Sequence, residues 1–270
     1  MLNRELRTTT AWKLTKYLKV SLLWWKYLAI YWSKYLAIRP FPDSCSSIQD
    51  IIEFERNHRV MGFNGQPIRA YIVWKLFRHF QCSSFIETGT FYGNTTGFVR
   101  RSFRTDVFSC EISTFNYFVS RVNLILANRV SIFRSSSPEF LRNVLQQSLI
   151  GSNPMFYLDA HWYEYMPLPD ELRIIAKRCE RGIIVIDDFY IPSDPRFGYD
   201  PNPNFRIDLD VIERELIAYR KDALVYLPAY NPTMEPRGGA TGMGIILMGQ
   251  LKELPVSEFP FNLLAPVKTI

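Results

Sequence analysis

The sequence predicts an α/β fold built on one mostly parallel sheet with an antiparallel ending, and three observations carry that prediction. From residue 81 onward, short runs rich in β-branched and aromatic residues alternate with helical patterns, the order that generates strand–helix–strand crossovers. The last two strand-like runs are joined only by residues 231–241, a link containing Pro232, Pro236, Gly238 and Gly239 and too short for a helical crossover, so they should pair antiparallel. A length of 270 residues with 47% hydrophobic content suits one such domain with some elaboration and excludes a chain dominated by disorder.

Seven strands are expected, at 85–90, 106–112, 129–133, 155–160, 182–187, 223–228 and 242–248, with helices filling most of the gaps. Ahead of them, residues 47–58 and 67–80 read as helices with apolar faces. The stretch from Arg39 through Pro40 and Pro42 to Ser44 cannot continue a helix and reads as a linker. The expected organisation is an N-terminal helix within 1–40, a helical lead-in over 41–80 and the sheet domain over 81–270.

Charge is unevenly spread. Residues 1–40 carry eight Lys and Arg against Glu5 alone, a net of +7 within a whole-chain charge of +6, so the other 230 residues sum to −1. A nearly neutral body lacks the concentration of basic side chains that phosphate recognition needs, and no nucleic-acid partner is expected. Cys45, Cys82, Cys110 and Cys179 follow no disulfide or zinc spacing and fit a reducing cytoplasm.

The basic segment has its own logic. From Leu14 to Ile38 there is no Pro or Gly, and Leu14, Tyr17, Leu18, Leu22, Trp25, Leu28, Trp32, Tyr35 and Leu36 fall on one broad helical face, with Lys13, Lys16, Lys19, Lys26 and Lys34 opposite. Such a helix suits the headgroup boundary of an anionic membrane, at residues 14–38, on the inner face in a cytoplasmic protein. Packing on the domain or across a homodimer is the alternative use of the same apolar face. A spanning helix is disfavoured, because two lysines inside the apolar stretch each cost roughly 2.5–3.5 kcal/mol near the bilayer centre, and the same lysines interrupt a signal-peptide core.

The first strand leads into Glu87, Thr88, Gly89, Thr90, Phe91, Tyr92, Gly93, Asn94 and Thr95 at the opening of a helix. Glycines at 89 and 93 let backbone approach a ligand closely, and the helix start at Asn94 and Thr95 offers N–H groups and hydroxyls to a carboxylate. Glu111, 22 residues after Gly89 at the end of the second strand, is placed to accept both hydroxyls of a ribose. The spacing is shared with dinucleotide-binding proteins, but the GxGxxG turn that presents a pyrophosphate to a helix is absent. This ExGTxxGxTT-like loop resembles motif I of class I S-adenosylmethionine-dependent methyltransferases, close to the catechol-type, caffeoyl-CoA and macrolide sugar O-methyltransferases. The resemblance implies a Rossmann-like class I methyltransferase fold with S-adenosylmethionine as cofactor and Glu87 beneath the site, organising the loop. It also places Ser136, after the third strand, where related sequences carry the acid that holds the adenine amino group.

Asp159 ends the fourth strand, and Asp187 and Asp188 end the fifth. Both ends face one crevice in such a sheet. Three carboxylates delivered there suit one hard divalent ion such as Mg²⁺, and their separation of 28 and 29 residues is similar to that of the metal ligands in the catechol-type enzymes. His161 lies where the resemblance places a general base, and an imidazole suits proton removal near neutral pH. The reading is in-line transfer of a methyl group to a hydroxyl of a small molecule or sugar, with Asp159 and His161 catalytic. The alternatives are a metal-independent methyltransferase in which Asp159 and His161 meet the acceptor directly, and a membrane-associated scaffold of the same fold without chemistry. A dehydrogenase ranks behind these. Residues 190–207 and 231–241 flank the same end of the sheet and should shape acceptor specificity.

Overall fold

The structure is a computed structural model and describes residues 23–58, 60–146, 150–160, 165–202, 204–236, 239–249 and 251–267. The chain divides into two compact units, Met1–Ala37 and Ile38–Ile270. In the first, residues 23–37 form helix α1, which exposes Leu23, Trp24, Trp25, Tyr27, Ile30 and Leu36 together with Lys26 and Lys34. Of the expected apolar face, Leu14, Tyr17, Leu18 and Leu22 lie outside the described residues, Trp25 and Leu36 are exposed, and Leu28 and Tyr35 are buried. Among the described residues, no helix is long and apolar enough to cross a membrane.

The second unit opens with α2 (Ile48–His58) and α3 (Pro67–His79). It continues as β1 (Phe85–Thr88), α4 (Asn94–Phe103), β2 (Val107–Glu111), α5 (Thr114–Asn123), β3 (Val130–Arg134), α6 (Ser137–Val144), β4 (Met155–Leu158), α7 (Leu168–Arg178), β5 (Gly182–Ile186), α8 (Leu209–Ile212), β6 (Leu224–Pro228), β7 (Gly244–Met248) and β8 (Leu264–Pro266). Among the described residues one sheet holds the strands, in the order β3-β2-β1-β4-β5-β7-β6-β8. Strands β1 to β5 are mutually parallel, and β7 runs antiparallel between β5 and β6. The antiparallel ending thus follows from the short 231–241 link. The eighth strand corrects the expectation of seven: Leu264–Pro266 is too short and too proline-bearing to announce itself, and it is recruited by the open edge of β6.

The central strands β1, β2, β4 and β5 are buried along their whole length, as strands covered on both faces must be. The chain order reverses between β1 and β4, which are direct neighbours with Thr88 opposite Leu158. A crevice opens beyond the carboxyl ends of strands at such a reversal, so the loops after β1, β2, β4 and β5 carry the residues of interest.

Candidate functional site

The loop after β1 is a tight, partly left-handed turn. Gly89 and Gly93 have φ of 86° and 82°, and Phe91 between them has φ of 48°. The amides of Gly89 and Thr90 both donate to Cys110 O, at 3.1 and 2.9 Å, and that of Gly93 donates to Thr90 O at 2.8 Å. Gly89 admits no side chain for a second reason: a Cβ there would lie 2.4 Å from the backbone oxygen of Asp159. The loop after β1 therefore abuts the end of β4.

Two buried glutamates fix this turn. Glu111 receives the Phe91 amide on Oε2 and the Ser113 amide on Oε1, each at 2.8 Å, tying the strained loop to the end of β2. Glu87 receives the Thr96 hydroxyl and, at 2.6 Å, the Ser109 hydroxyl, while Ser109 also pairs with Thr90 Oγ1 at 2.6 Å. Burial pushes the Glu87 carboxyl up to about 7, against the pull of its two hydroxyl donors. Glu87 thus lies under the loop and organises it.

The hydroxyls of Thr88 and Thr90 point into this framework, with Thr88 Oγ1 accepting from the Asp159 amide at 3.3 Å. Thr95 Oγ1 accepts from the Phe63 amide at 3.1 Å. Among these positions, Asn94 is the exposed one. Gly93 is the N-cap of α4, and a glycine has no side chain to accept from the first-turn N–H groups of this ten-residue helix. Ser136 is the N-cap of α6, and its hydroxyl makes no cap hydrogen bond.

The ends of β4 and β5 are organised differently. Asp187 and Arg69 are both 0% exposed, and Arg69 Nη1 donates to Asp187 Oδ1 in a buried salt bridge. The same Asp187 oxygen receives the Asp188 amide at 2.8 Å, and Oδ2 receives the Tyr157 hydroxyl at 2.6 Å. Thr241 Oγ1 and Asn64 Nδ2 stand farther off, at 3.4 and 3.5 Å. Arg69 Nη2 reaches Thr241 O, Thr241 Oγ1 at 2.6 Å and Gly242 O at 3.1 Å. Burial works to lower the Arg69 pKa, but the charges around it, Asp187 foremost, hold it above the ordinary arginine value. Asp159 is driven well above the usual carboxylate range, first by desolvation and then by Asp187, Asp188 and Glu87.

These contacts bear on the expected trio of metal ligands. Among the described residues, no group of three His, Cys, Asp or Glu side chains is placed to hold a metal ion. The physical obstacle is Asp187. A carboxylate offers about four lone-pair positions, and three of those of Asp187 face a guanidinium, an amide and a phenol. Asp159, Asp187 and Asp188 share a neighbourhood, as their mutual electrostatics show, and among the described residues the positive charge there is Arg69. The donor set does not fit the divalent ion that the sequence suggested. His161, the expected base, lies outside the described residues.

Arg69, Tyr157 and Glu235 were not singled out by the sequence. Glu235 accepts the amides of Ile68 and Arg69 and so caps α3, with the Tyr230 hydroxyl at 3.3 Å. Burial lifts its carboxyl to about 7. Residues 190–207 and 231–241 meet at the bridge between Gly198 and Thr241. Phe63 and Asn64 adopt left-handed backbone with φ of 54° and 56°. One signal for Arg69 was available: it stands in the apolar run from Pro67 to Trp74, all of it buried, and an arginine there has to be paired.

Comparisons with known proteins bear on the fold. No family model matches the chain, and no curated protein matches it in sequence. Among solved structures, the O-methyltransferase TomG of Streptomyces achromogenes, involved in tomaymycin synthesis and complexed with S-adenosylmethionine, is similar at 16% identity. The match covers 76% of this chain and 92% of that one, with a TM-score of 0.50. An O-methyltransferase from Bacillus cereus complexed with S-adenosylhomocysteine matches at 17% identity over 74% of this chain and 90% of that one, with a TM-score of 0.49. The chain has the Rossmann-like fold of class I methyltransferases, with a mostly parallel sheet and an antiparallel ending.

Proposed function

We propose that this chain transfers the methyl group of S-adenosylmethionine to a hydroxyl of a small molecule or sugar. The observation that carries the reading is the loop after β1, left-handed at Gly89, Phe91 and Gly93 and clamped to the end of β2 by Glu111. Strained backbone persists where surrounding contacts fix it, and such strain clusters at ligand sites. The start of α4 supplies N–H groups for a carboxylate, and Glu111 stands at the strand end where a ribose would meet it. TomG and the Bacillus cereus enzyme hold S-adenosylmethionine and S-adenosylhomocysteine respectively.

Bound S-adenosylmethionine supplies an electrophilic methyl group, and the protein's part is alignment and proton management. Gly89 against the Asp159 backbone puts the turn next to the end of β4, so an acceptor hydroxyl beside Asp159 lies near the methyl donor. Asp159, with its proton affinity raised by its surroundings, is the acceptor-side base together with His161. The metal-independent form of the reaction is the one the Arg69–Asp187 pair supports. Calorimetry tests the cofactor assignment: S-adenosylhomocysteine should bind the full-length protein, and Glu111→Ala should weaken it by at least tenfold. Binding of NAD in its place would overturn the reading.

We also propose that residues 14–38 rest on an anionic membrane surface. The exposed Trp24, Trp25, Tyr27 and Ile30 beside Lys26 and Lys34 support it. Sedimentation with phosphatidylserine vesicles should fall when Lys26 and Lys34 are changed to Gln, each lysine being worth about 1 kcal/mol near such a surface. A homodimer that dissociates on the same substitutions, with vesicles ignored, would favour helix packing instead.

A further inference from the structure

Arg69 occupies an unusual position for a cation. It is fully buried on α3, its main-chain amide is held by Glu235, and its Nη2 is surrounded by the acceptors Thr241 O, Thr241 Oγ1 and Gly242 O. Its Nη1 donates to Asp187. Asp187 ends β5, and its charge is felt by Asp159 at the end of β4. We infer that Arg69 is the resident cation of this carboxylate cluster, that it stands in place of a divalent ion, and that Asp187 is a positioning residue rather than a metal ligand. The chemical consequence, methyl transfer without a metal, rests on the reading above; the assignment of the cation does not.

Three features carry the inference. A hard ion such as Mg²⁺ needs near-octahedral oxygen ligation and keeps several waters, whereas Asp187 is sealed from solvent and its oxygens face Arg69, Tyr157 and the Asp188 amide. An ion entering there would have to displace a guanidinium, and the Thr241 carbonyl would lose its Arg69 donor while Gly242 O would keep only the Phe189 amide. Arginine also keeps its charge at every pH the protein meets, so Asp187 is neutralised without any exchangeable ion. Arg69 further joins the strand ends to residues 231–241, because Thr241 belongs to that loop and bridges Gly198. The same guanidinium thus neutralises Asp187 and pins two loops expected to shape the acceptor side.

The test is a titration of Mn²⁺ into full-length protein, with and without saturating S-adenosylhomocysteine, followed by the paramagnetic resonance signal of the free ion. Wild type is expected to leave that signal unchanged. Arg69→Met, which strips the cluster of its cation, is expected to sequester Mn²⁺ and to gain several degrees in thermal midpoint from it, a response that a purely structural arginine would not create. Binding of one Mn²⁺ per wild-type chain, lost in Asp159→Asn, overturns the inference. If Arg69→Met does not fold, the wild-type titration decides alone. Failure of S-adenosylhomocysteine to bind in parallel calorimetry would instead sink the methyl-transfer reading and leave the titration without S-adenosylhomocysteine to judge the cation.

Discussion

Glu87 and Asp187 lie at the carboxyl ends of strands β1 and β5 of one sheet, both with side chains hidden from water, yet the fold answers their charges in opposite ways. Around Glu87 it supplies neutral donors, the hydroxyls of Thr96 and Ser109, and burial leaves the carboxyl with a pKa of about 7. Around Asp187 it supplies a full positive charge, the Arg69 guanidinium, together with the Tyr157 phenol and the Asp188 amide. Dipoles can solvate a carboxylate and still leave its protonation adjustable. A buried ion pair fixes charge and geometry together, at the risk that losing one partner strands the other. The adjustable end is the one proposed to hold the cofactor, and the fixed end borders the acceptor side.

The largest effect should come from breaking the fixed end. Arg69→Met leaves Asp187 buried without its cation, and removing one partner of such a pair costs about 3–5 kcal/mol. Arg69→Met combined with Asp187→Leu should recover part of that loss, because no uncompensated charge remains. Urea denaturation of the two variants checks this. A double variant no more stable than the single one would show that Arg69 matters for packing and for Thr241, and that the pairing with Asp187 is incidental.

The same contrast explains how much of the molecule could be read from its residues. At the adjustable end, Glu87, Gly89, Gly93 and Glu111 fall within one strand–loop–helix–strand unit, so short-range spacing and turn chemistry suffice to bring them together. Most of strands β1 to β7 were legible for a similar reason, being compact apolar runs bounded by turn residues, whereas β3, Val130–Arg134, is partly polar and largely exposed. At the fixed end the decisive partner comes from α3, more than a hundred residues before Asp187, and no local pattern reports a contact at that range. Asp159, Asp187 and Asp188 therefore looked like a bare acidic cluster in want of a metal, when tertiary structure had already provided a cation. Strand β8 escaped for another reason: Leu264–Pro266 has no periodicity of its own and exists by pairing with β6. Of the helix expected over residues 14–38, residues 23–37 are seen as a helix, and residues 14–22 lie outside the described residues.

A second, smaller effect should separate the two ends by pH. The Glu87 carboxyl has an ordinary value of 4.5 and sits at about 7 in the folded chain. Between those values the folded state keeps a proton that the unfolded state has released, so the stability this group contributes is fully present below about 4.5 and is lost as pH rises through about 7. The difference corresponds to about 3 kcal/mol at most. Glu235, also raised to about 7, titrates in the same window and adds to the wild-type slope. Glu87→Gln removes only the Glu87 share, so the stability gap between wild type and variant should shift by up to about 3 kcal/mol in the variant's favour from pH 4.5 to pH 8. Parallel pH profiles for the two proteins would mean that Glu87 is ionised throughout and that its hydroxyl donors compensate it as fully as Arg69 compensates Asp187.

The finest test of the contrast is Ser109→Ala. Ser109 donates to Glu87 at 2.6 Å and pairs with Thr90 Oγ1 at the same distance, so the substitution removes one of two hydroxyls facing the carboxylate and leaves Thr90 without that partner. A hydrogen bond to a charged group contributes about 1.5–3 kcal/mol and one to a neutral group nearer 1 kcal/mol. Because the Ser109 hydroxyl favours the ionised form, removing it should raise the Glu87 pKa further. The cost of Ser109→Ala should therefore be larger at pH 8, where Glu87 carries its charge in the wild type, than at pH 5, where it holds its proton. The expected gap is about 1 kcal/mol, readable as a difference in urea midpoints at a shared slope. Equal losses at the two pH values would mean that Ser109 serves Thr90 and the turn rather than the charge of Glu87, and the picture of a carboxylate solvated by adjustable dipoles would then rest on Thr96 alone.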